Sequence, residues 1–159
     1  LKKSQENQSY QGMGTTLVAA LFFNDQQVVV ANIGDSRGYI YHDGLLTQIT
    51  IDHSLVNELV KNGDLSEDAA RVSPQKNIIT RAIGISQDAQ IEVNSFPVKS
   101  GDLFLLCSDG LSKMVNNEQI KAVLSTDQWT LGEKCQRLVS LANQAGGPDN
   151  VTVLISQNN

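Results

Sequence analysis

The chain has 159 residues, 40% hydrophobic and 18% charged, with 17 acidic against 12 basic side chains and a net charge of −5. That length supports one domain with a real core, and the acidic balance argues against a nucleic-acid or anionic-membrane partner, because little basic charge is left to neutralise phosphates. Cys107 and Cys135 have neither a Cys-x-x-Cys partner nor a zinc-ligand spacing and read as reduced core thiols. No apolar run approaches the ~20 residues that span a bilayer, and no signal peptide is evident although the chain opens on Leu1, so a cytoplasmic protein is expected.

In chain order, "LKKSQENQSYQG" (1–12) is polar and aperiodic and reads as a loop or the frayed end of a helix. "TTLVAALFF" (15–23) and "QVVVANIGD" (27–35) are β-branched apolar runs around Asn-Asp-Gln, the pattern of a hairpin. "RGYIYHDGLLTQIT" (37–50) repeats it with Asp43-Gly44 as the turn, and three consecutive hairpin-like connections predict antiparallel pairing. A helical period follows over 52–63, with Leu55, Val56, Leu59 and Val60 as its apolar face, Asp52 or Ser54 as cap and Gly63 as stop. Ser66 caps a short second helix that ends before Pro74. Residues 77–84, 90–98 and 102–110 read as strands, with Pro97 marking an edge or a strand end. Helices over 116–126 and 130–147 precede a closing strand at 150–156. The expected class is α+β, with helices stacked on antiparallel sheet.

Three motifs share one construction. Gly34-Asp35-Ser36-Arg37 and Ser108-Asp109-Gly110 each end an apolar run, and Gly147-Pro148-Asp149-Asn150 immediately precedes one. Each alone is also an ordinary turn composition, in which the aspartate bonds to nearby amides. Brought to one end of a sheet, the three carboxylates would repel unless a cation joined them. A hard divalent ion with all-oxygen ligands, Mg²⁺ or Mn²⁺, answers that need, and the isolated histidines and cysteines offer no soft-ligand set to compete.

"GMGTTL" (12–17), "GDSR" (34–37), "DHS" (52–54), "ITRAIG" (79–84), "SDGL" (108–111) and "GGPDNVTV" (146–153) occur in order. Together they resemble the PPM, or PP2C-type, metal-dependent serine/threonine protein phosphatases, most closely the compact bacterial members, over nearly the whole chain from Gly12 onward. The resemblance implies a sandwich of two antiparallel sheets between helix pairs, one domain over residues 1–159, and a Mn²⁺ or Mg²⁺ cluster at one end. It implies Asp109 and Asp149 as ligands of a two-metal centre and Asp35 as the aspartate associated with a third metal. Residues 52–77 correspond to a flap bordering the substrate cleft. The implied activity is hydrolysis of phosphoserine and phosphothreonine in proteins by metal-activated water, in opposition to a serine/threonine kinase. His53 is expected to cap or pack at the flap's start rather than act as an acid.

Two departures stand beside the resemblance. The family's N-terminal Glu-Asp pair, phosphate-contacting arginine and Asp-Gly-Met-Gly-Gly segment do not precede Gly12. The chain therefore reads as the C-terminal two-thirds or so of such a phosphatase, expected to have little activity alone and to self-associate through unpaired sheet edges and exposed core. Lys113 stands where relatives commonly carry Asp or Asn, and can pair with Asp109 or turn outward. A phosphatase-like regulatory or protein-binding module without turnover is the alternative.

Overall fold

A computed structural model describes residues 6–10, 12–23, 26–86 and 88–158; half of the segment 1–12, read as a loop or frayed helix end, lies outside them, and within it Gln8–Tyr10 form a single 3₁₀ turn. The described strands are β1 (Leu17–Phe23), β2 (Gln27–Ile33), β3 (Arg37–His42), β4 (Leu45–Gln48), β5 (Glu92–Pro97), β6 (Leu103–Cys107) and β7 (Val153–Gln157). They form two antiparallel sheets, in the orders β1-β2-β5 and β4-β3-β6-β7. The α+β expectation holds.

Two of the three expected hairpins are present. β1 and β2 pair along their whole length, from Leu17 opposite Ile33 to Phe23 opposite Gln27, although the turn residues Asn24 and Asp25 lie outside the described residues. Asp43 (φ 46°) and Gly44 (φ 78°) make the tight turn between β3 and β4, both with the left-handed backbone that matches strand twist. The middle connection differs from the expectation. β2 and β3 belong to different sheets, so Gly34-Asp35-Ser36 carries the chain across the sandwich. Gly34 has φ +108°, and a Cβ there would lie 2.2 Å from Thr16 Cγ2. Only glycine turns the chain that tightly against the approach to β1.

Residues 77–84 do not form the expected strand. Ile79 bridges Ser54, and Ile83 bridges Thr15. Each end finds a different partner, so no ladder extends between them. Pro97 is the last residue of β5, an edge strand, where the missing amide donor costs no central ladder bond.

Helices α1 (Leu55–Lys61), α2 (Glu67–Val72), α3 (Asp109–Ser112), α4 (Asn117–Leu124) and α5 (Leu131–Gln144) start at side-chain signals, α3 excepted. Ser54, not Asp52, caps α1 through Asn57 N, and Ser66 caps α2. Asn116 with Gln119 and Thr130 with Glu133 form reciprocal capping boxes for α4 and α5.

β6 lies inside its sheet and is buried on both faces. Leu103, Leu105 and Cys107 face a core completed by Leu111, Ile120, Leu124 and Leu138 of the helices. Phe104 points the other way, into the inter-sheet core with Val28, Val30, Ile49 and Val98. Each such side chain contributes roughly 1.5–3 kcal/mol of burial, which makes β6 the rigid axis on which Asp109 stands. The outer face of the three-stranded sheet contrasts with this. Leu21, Phe23 and Val93 are 58%, 51% and 59% exposed there, and no helix covers them among the described residues.

Candidate metal centre

Strand register explains why two of the three aspartates meet. Arg37 pairs with Cys107 across β3 and β6. Asp35 and Asp109 each lie two residues beyond that last pair, so the chain entering β3 and the chain leaving β6 bring both to the same end of the sheet. A single cation joins them. Lys113 Nζ donates to Asp109 Oδ2 at 2.6 Å and to Asp35 Oδ2 at 3.2 Å. Lys113 follows Asp109 by four residues, and its amide donates to the Asp109 carbonyl at 2.9 Å, so α3 and its C-cap place both side chains on one face. Partial burial works against the ammonium, but its hydrogen bond to Asp109 and the charges of Asp35 and Asp109 outweigh it and hold Lys113 above the ordinary lysine pKa.

Asp149 stands on the adjoining loop. Ser108 N donates to Thr152 O at 3.1 Å, Thr152 N donates to Ser108 Oγ at 3.0 Å, and Ser108 Oγ donates to Asn150 O at 3.2 Å. Gly110 packs directly on that loop, since a Cβ there would lie 2.3 Å from Asn150 O. The exposed Asp149 carboxylate accepts from Asn150 N at 2.7 Å. Among the described residues no three His, Cys, Asp or Glu side chains converge into one metal-holding group. Of the expected ligands, then, Asp35 and Asp109 share a cation, and Asp149 lies next door without closing on them.

The surrounding motifs brace this end of the sandwich. His53 is 4% exposed and brackets Gly34: its amide donates to Gly34 O at 3.0 Å, and its Nδ1 accepts from Gly34 N at 3.1 Å. That assigns the ring proton to Nε2, which donates to Glu92 Oε2 at 3.2 Å. His53 is thus buried and bonded through both ring nitrogens just before α1. Arg37 makes a bidentate pair with Asp52, Nη2 to Oδ2 at 2.7 Å and Nε to Oδ1 at 3.0 Å, and so ties the segment leading into α1 to the first residue of β3. Thr16 and Ser36 hydroxyls lie 2.9 Å apart, and Thr15 and Ile83 exchange backbone hydrogen bonds. The Arg37–Asp52 pair and the Asp35 partner of Lys113 went unread in the sequence. The pairing of β3 with β6 is the signal for the second, and it is not visible before the sheet order is known.

The donors suit a hard divalent ion. Lys113 takes the Oδ2 oxygens of Asp35 and Asp109, while Asp109 Oδ1 has no hydrogen-bond partner among the described residues and is an oxygen donor of the hard kind.

Comparison with known proteins decides the family. The family model described as Protein phosphatase 2C matches residues 1–144. The chain belongs to the protein phosphatase 2C family. It is 43% identical over 152 residues to the serine/threonine phosphatase stp of Listeria monocytogenes serotype 4b, an alignment covering 96% of this chain and 60% of the relative. The crystal structure of the Mycobacterium tuberculosis serine/threonine phosphatase PstP/Ppp superposes with a TM-score of 0.91 at 39% identity, covering 98% of this chain and 65% of that one. The PstP catalytic domain in complex with two manganese ions gives a TM-score of 0.86 at 38% identity, covering 98% and 64% of the two chains. This protein phosphatase 2C chain thus spans about three-fifths of the length of the relatives it matches. Its two-sheet sandwich is the one the motif set implied.

Proposed function

We propose that the protein carrying this chain hydrolyses phosphoserine and phosphothreonine in proteins, using Mn²⁺ or Mg²⁺. The observation that carries the reading is the placement of Asp109 at the end of β6 against the loop that bears Asp149, in a chain of the protein phosphatase 2C family. The two manganese ions of the PstP complex support the choice of metal. When bound, divalent ions supply a water of lowered pKa and a clamp on the phosphoryl oxygens. The residues of this chain do the positioning. Asp109 stands on the stiff end of β6 and offers Oδ1, with Asp149 as its companion ligand on the loop that Gly110 and Ser108 hold in place. His53 has both ring nitrogens committed and donates no proton to a substrate. Residues 52–77, carrying α1 and α2, act as the flap, anchored through Arg37–Asp52 and the Ser54–Ile79 bridge.

The substrates in this reading are phosphorylated proteins, the opposing enzyme is a serine/threonine kinase, and the setting is the cytoplasm. No helix among the described residues is long and apolar enough to cross a membrane. The test is phosphate release from a phosphothreonine peptide by the full-length protein. Turnover should require Mn²⁺ or Mg²⁺, stop with EDTA and return on adding metal; a folded protein without metal-dependent turnover contradicts the reading. That negative result would favour the second one, a non-catalytic binding module, which the Lys113 ion pair motivates. The 159-residue chain alone is expected to be nearly inactive. It is also expected to self-associate through the exposed Leu21, Phe23 and Val93 face. Sedimentation should show mass rising with concentration, and a concentration-independent monomer rules this out.

A further inference from the structure

The Asp35–Asp109 pair is closed by a cation that belongs to the chain itself. Asp35 is 8% exposed, and a carboxylate that deep needs a partner for its charge. Lys113 supplies it while also satisfying Asp109, and so links the ends of the two sheets through one ammonium. Its placement is built rather than incidental. Leu111 of α3 is fully buried, and Gly110 is pressed against Asn150, so the short helix that leads to Lys113 has a fixed orientation.

We propose that Lys113 is a tethered cation that takes the place of a divalent ion between Asp35 and Asp109, leaving Asp109 Oδ1 and Asp149 as this chain's metal ligands. The inference rests on the metal-centre reading above. A divalent ion bound at the two Oδ2 oxygens would sit within a few ångströms of the ammonium, and like charges that close repel strongly in a partly buried site. With Lys113 present, the pair carries one net negative charge instead of two, so it repays less of the dehydration of a divalent ion. The lysine is attached, so it competes at a high effective concentration without a binding step from solution. Its side chain is 26% exposed, which leaves an outward path and makes the competition measurable.

The experiment is Mn²⁺ binding, counted by electron paramagnetic resonance of free Mn²⁺, in the full-length protein and in Lys113→Met. The variant removes the charge and keeps the length of the side chain. It should bind one more Mn²⁺ per chain, or bind Mn²⁺ at that position at least about tenfold more tightly, and Asp35→Asn in the Lys113→Met background should remove the gain. Equal counts and affinities in native protein and Lys113→Met overturn the proposal, as does an extra ion that survives Asp35→Asn. If Lys113→Met does not fold, native protein with ¹³C-labelled lysine is titrated with Mg²⁺ instead. A Lys113 Cε resonance that keeps its ion-paired position at saturation supports the tethered cation, and a move to the position of a free lysine overturns it. Native protein that binds no Mn²⁺ contradicts the phosphatase reading, whereas the difference between native and Lys113→Met decides the role of Lys113 alone.

Discussion

Asp109→Asn in the full-length protein is expected to lower Mn²⁺-dependent phosphatase activity by at least about a hundredfold, with little loss of fold. Residues that only orient a metal ligand cost about 10–100-fold when changed, and a ligand costs at least as much. Asn keeps the volume and one oxygen but removes the charge that balances a divalent ion. The fold should persist because Asp109 lies beyond the end of β6, after the buried Leu105 and Cys107. The Asp109–Lys113 pair is partly open to solvent, with 28% and 26% of the two side chains exposed, and such pairs contribute at most about 1 kcal/mol. Initial rates against Mn²⁺ concentration, with a thermal melt of the same sample, check both halves. Retained activity in Asp109→Asn would remove this residue from the metal centre.

Gly110→Ala should act through packing and be nearly as damaging. The added Cβ would lie 2.3 Å from Asn150 O and 3.0 Å from its carbonyl carbon, distances that backbone atoms cannot accommodate without moving. The Asn150 loop has little room to retreat, because Ser108 holds it through Asn150 O and both backbone groups of Thr152. Overpacking of this kind costs about 1–3 kcal/mol, and the upper end is expected here. The same shift moves Asp149 away from Asp109, so Mn²⁺ affinity should fall with stability. Gly132→Ala is the control. It lies in the first turn of α5 with only Thr130 Oγ1 near, at 4.0 Å, so the better helix former should be neutral or slightly stabilising. Urea unfolding of the three proteins side by side measures the contrast, and equal midpoints for Gly110→Ala and native protein would show that the loops are not locked as described.

The parts of the fold that were legible in the sequence depend on local chemistry. The caps at Ser66 and Asn116, the Asp43-Gly44 turn and the edge position of Pro97 all follow from groups within a few residues of each other. What was not legible depends on partners distant in the chain. Nothing in "VVVANIGDSR" announces that Gly34-Asp35-Ser36 crosses from one sheet to the other, because a tight connection and a crossing share the same turn residues. Residues 77–84 are apolar enough for a strand, yet their two bridging positions face Ser54 and Thr15, which belong to different parts of the fold. The site divides in the same way. Aspartates at strand ends were readable as candidates, and Lys113 was readable as a cation near Asp109. That it also reaches Asp35 depends on β3 pairing with β6, which brings two segments far apart in the chain to one end of the sheet.

Anomalous diffraction at the manganese edge from crystals of the full-length protein grown with Mn²⁺ tests the metal centre most directly. The expected map has a manganese peak within coordination distance of both Asp109 and Asp149, with Lys113 still seated between Asp35 and Asp109. A map with manganese bound elsewhere, and with the Asp109 and Asp149 carboxylates bonded only to protein groups, would contradict it.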